Sequence, residues 1–95
     1  MTPSGRLGLA FEAARRERRG AFIPFLTSGF PDLVESDRLA VAICEEGADA
    51  LEMGGPFSDP IADGPVIQRT TEAALRAGTT LAHVLAQAMR LRARH

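Results

Sequence analysis

The sequence contains no lysine, no tyrosine, no tryptophan and a single cysteine. Each absence removes a chemistry. Without lysine there is no ε-amine to form a Schiff base with a carbonyl substrate. Cys44 has no partner for an internal disulfide, and its setting in LAVAICEEG suits a small buried side chain rather than a reactive thiol. His83 lies in a helical stretch and His95 is the last residue; neither has a partner at ligand spacing, so no metal is expected. No apolar run approaches the roughly 18 residues that would suggest a membrane span. The opening MTPSGRLGLAFEAARRERRG carries its cluster of positive charge after a short mixed stretch, the wrong order for a secretory signal, and a cytoplasmic location is expected. Eleven basic against twelve acidic residues leave a net charge of −1, which draws the chain toward neither nucleic acid nor an anionic membrane. The basic clusters RRERR and RLRARH fall at helix C-terminal ends, where cations complement the macrodipole. Chemistry in this chain is left to carboxylates and hydroxyls.

What is present has the punctuation of an α/β layer. Residues 5 to 18 read as a helix, with Leu7, Phe11 and Ala14 at helical spacing and Gly20 as the stop. AFIPFLT is nearly continuous in apolar character, as a parallel strand covered on both faces would be, and Pro24 suits a strand with one incomplete edge. After the turn SGFPD, a helix runs to Glu46 with Leu39, Ala42 and Ile43 on its period and Gly47 at its end. ADALEM is the second strand. A further helix covers 65 to 77 and stops at Gly78; a last one starts at its N-cap Thr80 and presents Leu81, Val84, Leu85, Ala88 and Leu91 as one stripe. The order helix-β-α-β-α-α with two parallel strands makes residues 1–95 a single unit with a right-handed βαβ crossover. A two-stranded parallel sheet leaves both outer edges unpaired, so association with further copies or a partner is expected.

The acids cluster around LEMGGPFSDPIADGP. Side chains alternate along a strand, so Leu51 and Met53 share one face and Ala50 and Glu52 the other. The larger apolar pair belongs against the helices, which aims Glu52 at the opposite side, near the C-terminal strand end where α/β folds carry their sites. By the same count Ile23, Phe25 and Thr27 share a face. From the residues alone the acids have two readings. They are a site, or Glu52 pairs with an arginine, Asp59 braces the SDP turn, and Asp63 caps the helix that begins at Gly64 and Pro65.

The string LEMGGPFSDPIADGPVIQ resembles the signature of the tryptophan synthase α subunit family, with PFLTSGFPD and EEGADALEMG resembling its first strand and the approach to its second. The resemblance covers nearly the whole chain. It implies the N-terminal part of a TIM (β/α)8 barrel: an N-terminal helix and the first two βα units of a fold that takes on the order of 250 residues. It implies a carbon–carbon lyase of tryptophan biosynthesis that cleaves indole-3-glycerol phosphate to indole and glyceraldehyde 3-phosphate beside a β subunit. Pyridoxal phosphate belongs to that partner, and no cofactor is expected in this chain. Glu52 resembles the family's general acid/base and Asp63 the acid that holds the indole N–H. Phe25 resembles a wall of the indole pocket, with Thr27 beside it. Pro56, Phe57, Ser58, Asp59 and Pro60 resemble the loop that touches the β subunit. Gly55 stands where the family usually has a branched apolar residue, which loosens the start of that loop. With two of eight strands, the chain alone is expected not to turn over.

Overall fold

The computed structural model describes residues 5–56 and 63–95. Six elements follow the order read from the sequence: α1 (Gly5–Arg16), β1 (Phe25–Thr27), α2 (Leu33–Glu45), β2 (Glu52–Gly54), α3 (Pro65–Arg76) and α4 (Leu81–Arg94). β1 and β2 pair in parallel, with Phe25 opposite Glu52, Leu26 opposite Met53 and Thr27 opposite Gly54. Leu26 is buried with Ala40 of α2 and Leu91 of α4, and Val41, Cys44, Leu51 and Met53 pack against them. The helix-facing side of the sheet is therefore the apolar side, as the alternation of LEM requires.

Both strands are shorter than AFIPFLT and ADALEM suggest, and the reason lies at their N-terminal ends. Glu52 N–H donates to the Pro24 carbonyl at 2.9 Å and Asp49 N–H to that of Phe22 at 2.9 Å, so pairing begins before the regular ladder. Pro24 has no N–H to return. The Phe22 N–H goes instead to the Asp49 carboxylate at 2.7 Å. Arg19 closes the arrangement with two parallel bonds to the same carboxylate, 2.8 and 2.9 Å, and a third contact to Glu17 at 3.0 Å. The hydrogen bonds from Arg19 and from the Phe22 N–H hold the Asp49 carboxyl down to about 2.

The helix ends show where local rules held. α2 and α3 stop at Gly47 and Gly78, and Thr80 caps α4: its Oγ1 accepts the His83 N–H at 3.3 Å while His83 Nδ1 accepts the Thr80 N–H at 3.0 Å. Asp32 caps α2 by accepting the Glu35 N–H at 2.9 Å. α1 differs, ending at Arg16 rather than near Gly20. Arg18 takes the left-handed conformation at φ 54°, with Arg18 N–H bonded to Arg15 O and Arg19 N–H to Ala14 O, so the six-to-one closure forms two residues before the glycine. The Arg6 guanidinium, near the start of α1, donates to the carbonyls of Arg92 and His95 at the far end of α4.

The buried helix faces also depart from the hydropathy pattern. On α2 the buried residues are Ser36 and Ala40, whereas Leu39 is exposed. On α4 they are Val84, Gln87 and Leu91, whereas Leu81 and Leu85 are exposed. On α1 only Ala14 is buried, with Leu7 and Phe11 exposed. Small side chains let α2 lie close to β1, and hydrogen bonds then decide the rotation of α4. No helix among the described residues is long and apolar enough to cross a membrane.

Candidate active site

Parallel pairing puts Phe25 and Glu52 side by side on the sheet face away from α2 and α4. Both are exposed. Glu52 faces away from Leu51 and Met53, as the alternation predicts, but it is not enclosed. The apolar neighbour is present, but a face only two strands wide does not enclose the carboxylate. Nor does Glu52 close its strand, because Ser28 N–H donates to the Gly54 carbonyl at 2.9 Å and carries the pairing two residues beyond Glu52. Gly54 is a glycine for a visible reason: a Cβ there would lie 2.5 Å from Cζ of Phe25. The Phe25 ring lies against Gly54 of β2, the strand that carries Glu52.

Thr27 is buried, and α3 covers it. Its hydroxyl is 2.8 Å from that of Thr70, whose own proton points to the Ile67 carbonyl at 2.9 Å, so Thr27 donates and Thr70 accepts. This fixes α3 on β1. Asp63 stands exposed just before α3. It does not cap the helix: Gly64 is the N-cap, with Pro65 in the first turn and no side-chain capping bond. The Asp63 backbone carbonyl accepts from Gln68 Nε2 at 2.6 Å. Pro56 is half-buried; Phe57, Ser58, Asp59 and Pro60 lie outside the described residues.

A second polar cluster was missed by the sequence reading. Gln87, in the middle of α4, is 1 % exposed. Its Oε1 accepts from Ser28 Oγ at 2.5 Å, and its Nε2 donates to Ser36 Oγ at 3.0 Å and to Asp37 Oδ1 at 2.7 Å. Asp37 accepts only, so the amide can face one way. Ser36 Oγ also accepts the Gly29 N–H at 3.0 Å, and Arg90 binds both oxygens of Asp37 at 3.0 and 2.9 Å. Gly29 sits at φ +89°, where a Cβ would fall 2.0 Å from Thr79 Oγ1, so the turn after β1 is pressed against the start of α4. The available signal was the spacing of Val84, Gln87 and Leu91, which puts a lone amide on the apolar stripe.

With α2 and α4 packed on one face of a parallel pair and an aromatic and a carboxylate on the other, the fold is a partial α/β barrel. Comparison with known proteins agrees and narrows it. The family model described as tryptophan synthase alpha chain matches residues 11–95, and the chain belongs to that family. The tryptophan synthase alpha chain of Solibacter usitatus is 52% identical over 87 residues, covering 92% of this chain and 33% of the relative. Among solved structures, tryptophan synthase from M. tuberculosis in its aminoacrylate-bound form superposes with a TM-score of 0.84 at 44% identity, over 88% of this chain and 34% of that one. Tryptophan synthase subunit alpha from Legionella pneumophila gives 0.90 at 35% identity, over 97% and 35%. The chain thus spans about a third of the length of the relatives it matches.

Proposed function

We propose that this chain supplies the acid-bearing third of an indole-3-glycerol phosphate lyase that works beside a pyridoxal phosphate-dependent β subunit. The observation that carries the reading is the register of Phe25 with Glu52, which puts a flat apolar surface next to a carboxyl on the open sheet face. Such a pair suits a planar aromatic substrate whose ring must gain a proton while a neighbouring hydroxyl loses one. Glu52 acts as the general acid/base, a role worth about 10²- to 10⁴-fold in rate. Asp63, at the mouth of α3, holds the indole N–H and stabilises the cationic ring tautomer. The segment PFSDP, Pro56 to Pro60, meets the β subunit. In barrels of this class a substrate phosphate is held by loops after strands 7 and 8, so the two strands here bind the indole end and leave the phosphate to the rest of a barrel.

The test is a chimera in which this chain replaces the matching third of the Solibacter usitatus protein. It should release indole from indole-3-glycerol phosphate, and Glu52→Gln or Asp63→Asn should lower kcat by roughly 100-fold or more. Full turnover by the Glu52→Gln chimera would refute the assignment. The 95-residue chain alone should give no turnover.

A further inference from the structure

We propose that Gln87 is a positioning residue for the Phe25–Glu52 face, acting through Ser28 and Gly54. The inference deepens the function proposed above and, in its catalytic consequence, rests on that reading. The path is short and continuous. Gln87 Oε1 accepts from Ser28 Oγ, Ser28 N–H donates to the Gly54 carbonyl, and Gly54 is the residue on which the Phe25 ring lies, two places after Glu52. The other end of the amide is fixed as firmly, on Ser36 Oγ and Asp37 Oδ1, and Ser36 in turn holds the Gly29 N–H.

One side chain therefore ties α4 to α2 and to the turn that follows β1. Every hydrogen-bonding position of its amide but one Oε1 lone pair is used, and each partner is itself held. A buried amide is an expensive way to fill space that a methionine would fill. What the amide adds is a fixed distance between α4 and Ser28, and hence the seating of Gly54 beneath Phe25. Leu26, in the same strand, packs on the core side against Ala40 and Leu91, a contact without the directionality of a hydrogen bond. The Gln87 amide adds directed bonds to Ser28, Ser36 and Asp37.

Three variants of the chain test this by NMR, with indole as the probe. In Gln87→Met, which keeps the volume, the Gly29 amide should exchange at least 10-fold faster while Ala73, in the middle of α3, is unchanged. The Phe25 ring resonances should move, and indole should perturb them about 10-fold more weakly. Ser28→Ala, a milder change that removes only one bond, should move the same ring resonances with the fold retained. In Gln87→Glu the buried carboxyl faces Asp37 and, beyond it, Arg90. Lowering the pH should return the Phe25 ring to its wild-type position as that carboxyl takes up a proton, a rescue that a purely space-filling role would not show. Unmoved Phe25 resonances in both Gln87→Met and Ser28→Ala would overturn the proposal. Failure of the wild-type chain to bind indole would instead count against the functional reading, and the ring and exchange measurements would still decide the role of Gln87.

Discussion

Phe25 and Glu52 are partners in a parallel register, and the Phe25 ring rests on Gly54, two residues further along the strand that begins with Glu52. A methyl group at 54 would stand 2.5 Å from Cζ and 2.9 Å from Cε2 of that ring. Because the ring is exposed on its other side, Gly54→Ala should displace it outward rather than unfold the sheet, at a stability cost of about 1 kcal/mol, the low end for overpacking. Loss of the nuclear Overhauser contacts between the ring and β2 would show the displacement. Retained contacts with a larger loss of stability would mean that the backbone gives instead.

Asp49 predicts an acid limit. Its carboxyl has an ordinary value of 3.8 and is held at about 2 by Arg19 and the Phe22 N–H. A folded-state value below the unfolded one adds stability that is fully present above the ordinary value and is lost as pH falls from there through about 2. Urea midpoints measured between pH 6 and 2 should fall across that window in the wild type. Asp49→Asn should start lower and respond less, and equal slopes for the two chains would exclude this pair as the source.

The rotation of α4 can be read by truncation. Leu91→Ala should cost about 2–5 kcal/mol, as a core leucine does, whereas Leu85→Ala on the exposed side should stay within about 0.5 kcal/mol. Denaturant titration of the two variants separates the observed face from the hydropathy stripe, since the stripe predicts similar losses at both positions.

Element order, strand alternation and most stops were legible because they depend on local chemistry. Gly47, Gly78 and Thr80 act where short-range rules place them, and the split of Glu52 from Leu51 and Met53 follows from the pleat alone. The buried faces were not legible, because they are chosen by fit and pairing rather than by hydropathy. Ser36 looks like a surface residue in the sequence and Gln87 is a polar residue at stripe spacing, yet both are among the most enclosed side chains of the described residues. Leu39, Leu81 and Leu85 look like core and face outward among the described residues. Competition between neighbours explains two smaller departures: Arg18 closed α1 before Gly20 could, and Gly64 took the capping position next to Asp63. At the site, the shared face of Phe25 and Glu52 could be counted from the sequence; the glycine seat beneath the ring and the amide clamp behind it needed the third dimension.

The grip of Arg6 on the last carbonyls of α4 makes the opening helix a sensor of how the final one ends. Unravelling one terminal turn of α4 would release both acceptors together, and α1 would lose these bonds to the segment that lies furthest from it in sequence. Fraying of α4 would then be felt directly at the start of α1.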